Sequence, residues 1–145
     1  MLETRDKTMG RFAVTVELAN NDDLGLVHAG HLSPEKVRRL TIQGWVDTGA
    51  ARLVIPERVV SHLGLPIVGE AGVRYAGGQT ARRPIAEAIR LTYGGRSSVF
   101  NAVVEPNRDT ALIGAIVLED LDFVADCSAQ KLVPRDPERI ISEIE

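Results

Sequence analysis

Val46-Asp47-Thr48-Gly49-Ala50 is the stretch on which the reading of this chain turns. A carboxylate stands at the end of an apolar run and a glycine turn follows at once, a costly place for a charge unless something pairs with it or uses it. A match to Asp-Thr/Ser-Gly-Ala/Thr/Ser arises by chance in about 1% of chains of this length, so the surroundings must carry the rest. Upstream, Leu40, Ile42, Gly44 and Val46 alternate with Arg39, Thr41, Gln43 and Trp45. That period of two is a half-buried strand, and it delivers the chain to Asp47. Downstream, Leu53-Val54-Ile55 is a short apolar run. Pro56 to Gly64 then reads as one or two helical turns, with proline at the first helical position, apolar residues at 59, 60 and 63, and glycine past the end.

Further out, Phe12, Val14, Val16 and Leu18 alternate with Ala13, Thr15 and Glu17 as a second half-buried strand. Residues 20–35 carry Asn-Asn-Asp-Asp and little periodicity, and read as a long loop with a turn of helix at Ser33-Pro34. From Gly72 the strand pattern returns, broken at Gly77-Gly78 and Gly94-Gly95, pairs suited to two-residue hairpin turns. Ser97 to Val104 is apolar on both alternations, as a central strand is, and ends at Glu105-Pro106-Asn107. After Gly114, the spacing of Val117, Leu118 and Leu121 predicts a helical turn. Phe123-Val124-Ala125 and Lys131-Leu132-Val133 flank Cys127-Ser128-Ala129-Gln130 as a last hairpin. The polar tail, residues 135–145, is expected to add a strand or a helix. The count is mostly β with one or two short helices, in a single domain over residues 1–145 with its core at about 12–134.

Composition narrows the function. Of 145 residues 44% are hydrophobic and 26% charged, which excludes disordered, collagen-like and coiled-coil readings. A formal charge of -3, from 17 basic and 20 acidic side chains, gives no net attraction to nucleic acid or to an anionic membrane, so neither is expected as a partner. With one cysteine, Cys127, neither an intrachain disulfide nor a zinc site with several cysteines is possible. The start, MLETRDKTMGRF, lacks the apolar stretch of a signal peptide, and no segment approaches eighteen apolar residues, so a soluble cytoplasmic protein is expected. His28 and His31 have a metal-compatible gap but no Cys or Glu at metalloprotease spacing. They read as solvated, as does His62, and neither a metal nor a cofactor is expected. Nothing ties a His or Asn to Cys127 as a catalytic thiol would require. Arg38-Arg39 and Arg82-Arg83 read as solvated faces, with contact to an acidic substrate as the lesser alternative.

Asp47-Thr48-Gly49-Ala50 after an apolar strand, and Ala111-Leu112-Ile113-Gly114 closing a later apolar segment before a short helix, are similar in order and spacing to the retroviral-type (retropepsin-like) aspartic proteases. The chain resembles a bacterial single-domain member of that pepsin/retropepsin clan. The resemblance implies a closed, mostly antiparallel β-barrel in which Asp47 is the catalytic carboxylate, Thr48 cross-bonds two active-site loops, and Gly49 and Ala50 continue the loop. It also implies that Leu112, Ile113 and Gly114 support that loop from behind, and that Tyr75, Ala76, Gly77 and Gly78 belong to a substrate-covering flap. Tyr75 then either shapes the substrate channel or simply pairs across its hairpin.

The mechanism of that family needs two carboxylates, one ionised to activate a water and one protonated to donate to the scissile carbonyl, and two carboxyls in contact share one proton. This chain has one Asp-Thr-Gly; Asp109-Thr110-Ala111 lacks the glycine and reads as a turn before a strand. The resemblance therefore implies a two-fold homodimer with an Asp47 from each copy, hydrolysing a peptide or protein substrate. Viral members carry an ion pair at positions that here hold Ala51-Arg52 and Ala115, so their subsite contacts do not transfer. The alternatives are a dimeric peptide-binding module with little turnover, and a monomer that awaits a different partner chain.

Overall fold

The two alternating segments on either side of the polar stretch at residues 20–35 build the first hairpin. A computed structural model describes residues 11–145, so most of the stretch considered for a signal peptide lies outside the described residues. Strand β1 (Arg11–Asn20) pairs antiparallel with β2 (Arg39–Asp47) over nearly its full length, from Arg11↔Asp47 to Ala19↔Arg39. Phe12, Val16, Leu18, Ile42 and Val46 face the core, and Trp45 and Thr41 face outward, as a period of two dictates.

Five further strands complete the sheet: β3 (Leu53–Pro56), β4 (Ile67–Arg74), β5 (Thr80–Tyr93), β6 (Arg96–Glu105) and β7 (Ala111–Ile113). Their order is β1-β2-β7-β3-β6-β5-β4, and β5 also pairs with β1 from Glu17↔Thr92 to Asn20↔Ile89. Six strands thus close into a barrel, which leaves no open edge among them, and β4 hangs on the outer half of β5 as a hairpin arm. The long β5 serves both roles because its register against β6 shifts between Ala86 and Ile89, where Ala88 takes a left-handed φ of 64°. Leu18, Ile55, Ile89, Leu91 and Ile113 fill the barrel at 1% exposure or less. Strands β8 (Phe123–Asp126) and β9 (Lys131–Pro134) form the separate last hairpin.

Residues 20–35 are not only loop, as their weak periodicity implied: α1 (Asn21–His28) forms there, followed by the expected single turn at Pro34–Lys36. Asn20 caps α1 by accepting a bond from the Asp23 amide, and Asp22 and Asp23 sit in the first turn, where carboxylates oppose the helix dipole. With α2 (Glu57–Leu63) and α3 (Ala115–Leu121), the described residues hold three short α-helices rather than one or two. Pro56 stands just before α2, at the N-cap position and without a capping side-chain bond, rather than at the first helical position, and Gly64 ends the helix at φ 63°. The hairpin at Gly77-Gly78 has a three-residue loop, not a two-residue one: Tyr75 N–H donates to Gln79 O, Gly78 N–H donates to Tyr75 O, and only Gly78 is left-handed. Gly94-Gly95, at φ 57° and 78°, makes the expected two-residue turn. The tail beyond Pro134 adds neither strand nor helix, and β4 starts at Ile67, ahead of Gly72. No helix among the described residues is long and apolar enough to cross a membrane.

Candidate active site

Strand β2 ends at Asp47, and the short β7 determines what surrounds it. β7 runs parallel to β2, with Trp45↔Leu112 and Val46↔Ile113, and is antiparallel to β3 at Val54↔Leu112. It is therefore wedged between the strand that enters the loop at residues 47–52 and the strand that leaves it. The chain after β7 then ties that loop from behind: Ala115 N–H donates to Ala50 O at 2.8 Å and Ile116 N–H to Ala51 O at 2.9 Å. Gly114 lies where the two segments cross. A Cβ there would stand 2.5 Å from Arg52 O and 2.7 Å from Ala51 C, so the close approach requires glycine. At Gly44 the same seam is tight, with a would-be Cβ 2.9 Å from Ile113 Cγ1.

The Asp47 side chain is half-buried at 27% exposure, open to a ligand yet partly shielded from water. Its Oδ1 accepts a bond from Gly49 N–H at 3.0 Å, and its Oδ2 lies 3.6 Å from Arg11 Nε. The Arg11 guanidinium also lies over the Trp45 ring, 5.9 Å from its centroid. Ala50 N–H donates to Asp47 O and closes the turn. Thr48 and Gly49 are exposed at the apex and Ala50 is half-buried. The carboxylate therefore caps its own turn with one oxygen, while the other lies within ion-pair distance of Arg11.

Beside the loop opens a cleft of about 500 Å³, bounded by residues 49–52 on one side and by Val73, Arg74 and Tyr75 of the β4–β5 arm on the other. Val54, Val103 and Leu112 supply an apolar floor, and Glu105 and Arg108 stand on its rim. Tyr75 thus faces the cleft. Its hydroxyl donates to Glu105 Oε2 at 2.6 Å and accepts from Arg83 Nε at 3.0 Å, which also donates to Glu105 Oε1 at 3.0 Å. Donation to Glu105 keeps the phenol protonated above its ordinary range; burial adds to this, and Arg83 pulls the other way. Hydrogen bonds to Glu105 first and Tyr75 second raise the Arg83 guanidinium above its usual value.

The loop residues Asp47, Thr48, Gly49 and Ala50 and the support residues Leu112, Ile113 and Gly114 are thus brought together, and Tyr75 joins them across the cleft. Ala76, Gly77 and Gly78 are not brought in: they form the exposed tip of the arm and do not line the cleft. Three residues escaped the sequence reading, Arg11, Glu105 and Arg108, and Arg83 entered it only as part of a solvated face, with contact to an acidic substrate as the lesser alternative. Arg83 was legible in principle, because the period of two along β5 puts Ala81, Arg83 and Ile85 on the half-buried side while Arg82 points out to Glu70. Arg108 sits in an irregular loop and left no periodic signal.

No protein-family model matches the chain, and no curated protein matches it. Among solved structures it is similar to the EIAV protease complexed with the inhibitor HBY-793, at 18% sequence identity and a TM-score of 0.55. The match covers 85% of this chain and 92% of that one. At this identity the likeness is one of fold: the chain has the barrel of a retroviral protease.

Proposed function

We propose that this chain is one subunit of a homodimeric aspartic endopeptidase, in which Asp47 from each of two copies meet on a two-fold axis and activate a shared water for attack on an extended peptide. The observation that carries the reading is a half-buried Asp47 on a glycine turn that β7 and Gly114 back from behind, beside a cleft of about 500 Å³ with an apolar floor. In the dyad one carboxylate takes a proton from the water while the other, protonated, donates to the carbonyl oxygen; one shared proton relieves the repulsion of two charges in contact. In this reading Thr48, exposed at the apex of the loop, cross-bonds to the partner's loop. The Gly49 amide holds Oδ1, which fixes the carboxylate plane before substrate arrives. The β4–β5 arm, anchored through Tyr75, covers the peptide. A single domain acting in the cytoplasm, in a bacterial branch of the retropepsin family, belongs to the same proposal.

Asp47→Asn removes both carboxylates of the dimer with one substitution, and so tests the reading. The variant is expected to stay folded and to lose hydrolysis of an unstructured protein substrate by several orders of magnitude, read by mass spectrometry of the products. Unchanged turnover moves the chemistry elsewhere. Tight peptide binding by a wild-type chain that hydrolyses nothing identifies a binding module instead.

A further inference from the structure

The cleft beside Asp47 carries more cationic side chains than its own carboxylates neutralise. Arg52, Arg74 and Arg108 line it, and among the described residues none of the three forms an ion pair. Glu105 is the one carboxylate on the lining, and both of its oxygens are taken, Oε1 by Arg83 and Oε2 by Tyr75. Arg108 is the half-buried member of the three; Arg52 and Arg74 are exposed. Thr110 orients its guanidinium: Nε donates to Thr110 O at 2.9 Å and Nη2 to Thr110 Oγ1 at 3.3 Å. Nη1 has no acceptor among the described residues. Burial, and after it the neighbouring Arg11, hold this guanidinium below its usual value, while Glu105 and Asp47 pull back. A half-buried cation whose fork is fixed at one end and open at the other is suited to bind a carboxylate, the planar anion that a guanidinium pairs with in two parallel bonds.

We propose that Arg108, with Arg52 and Arg74 around it, selects peptides that carry an Asp or Glu side chain close to the bond aligned on Asp47. The inference rests on the peptide-substrate reading above and adds the substrate class. An extended peptide advances about 3.3 Å per residue. Since residues 49–52 and Arg108 border the same cleft, and Asp47 is within electrostatic reach of Arg108, the acidic side chain falls on a residue near the scissile bond. In a two-fold dimer each subunit contributes one such cleft, so acidic residues are favoured on both sides of that bond.

Two labelled peptide pools test this. They are randomised around a central, uncleavable reduced bond and are identical except that fixed flanking positions carry Glu in one and Gln in the other. At low ionic strength the wild-type protein is expected to bind the Glu pool about tenfold more tightly, as a charge-assisted contact allows. Arg108→Gln should bring the ratio near one, and Arg108→Lys, which keeps the charge without the fork, should retain part of it. Arg82→Gln, outside the cleft on Glu70, should leave it intact. Equal binding of the two pools by the wild type, or a preference that neither Arg108 substitution alters, overturns the proposal whether or not peptides are cut. A Glu preference in binding, with no hydrolysis of the matching cleavable pool, upholds the selection and sinks the catalytic reading.

Discussion

At Gly114 a methyl group would press on the backbone of Ala51 and Arg52, which has no flexible end to swing away, so the loop that holds Asp47 would itself have to move. Gly114→Ala is therefore expected to cost about 3 kcal/mol, at the upper end of what overpacking does, and to reduce turnover along with stability. Urea denaturation checks it; an unchanged midpoint shows that the loop is not wedged against β7 as described. Most of this site is legible in the sequence, because an Asp-Thr-Gly after an alternating strand and an apolar pair ending in glycine are both local patterns. The residues that escape such a reading are those whose meaning lies in a third partner. Glu105 ends a central strand and says nothing by itself; it gains a role because β4 and β5 bring Tyr75 and Arg83 over it. Arg82 and Arg83 are neighbours in sequence, and only the pleat of β5 sends one out to Glu70 and the other in to Tyr75 and Glu105.

Among the elements, α1 shows why periodicity alone fell short. Its one buried residue is Asp23, and Leu26 is 45% exposed, so it has no apolar stripe to read. Polar contacts hold it instead. Asn20, 1% exposed, caps the helix with its oxygen and donates Nδ2 to Leu63 O at 2.8 Å, joining α1 to the end of α2. Asn20→Ala removes the cap and orphans a buried carbonyl, and is expected to cost about 2 to 4 kcal/mol in chemical denaturation. Asp23 accepts from Arg38 Nε and Nη2, each at 2.9 Å, and from the Arg38 backbone amide at 3.0 Å. The side-chain bonds from Arg38 hold its carboxyl below the usual range, against the opposing effect of burial. A lowered folded-state value means that the unfolded chain binds the proton first as pH falls. The contribution to stability is therefore complete at neutral pH, begins to fade near the ordinary carboxyl value of about 4, and is gone once pH passes below the folded value. Asp23→Asn should lower the melting temperature at pH 7 and flatten its decline between pH 5 and 3; an equal decline in both proteins places the acid sensitivity in other groups. In the β4–β5 arm, the Tyr75 hydroxyl is the tie to the barrel wall. Tyr75→Phe is expected to speed exchange of the hydrogen-bonded amides of residues 75 and 78 by about two- to tenfold, the effect of one lost hydrogen bond, without changing exchange in β1.

On the scale of the whole molecule, the barrel follows from many short alternating strands, yet its closure was not written in any one of them. Closure depends on β5 being long enough to leave β4 and reach β1, and that in turn depends on the register shift at Ala88, whose left-handed backbone no sequence pattern marks. The closed barrel holds one Asp47 and offers it at the surface, with Thr48 exposed beside it and Trp45 at 40% exposure on the neighbouring outward face. A catalytic dyad cannot be assembled from one such loop. In the proposed dimer a two-fold axis through that loop would bring the same patch against itself, so that Asp47 would meet Asp47 and each Thr48 the facing loop. Sedimentation equilibrium is therefore expected to show a reversible dimer, with hydrolysis rising as the square of chain concentration below the dissociation constant. Thr48→Val keeps the side-chain shape but removes a hydroxyl that the interface would bury, and should weaken the dimer by about 1 to 3 kcal/mol, about five- to 150-fold in dissociation constant. At saturating chain concentration that variant should regain much of its turnover, whereas Asp47→Asn should not, which separates assembly from chemistry. A chain that sediments as a monomer at high micromolar concentration, or whose hydrolysis rises only in proportion to its concentration across the whole range, has no shared dyad.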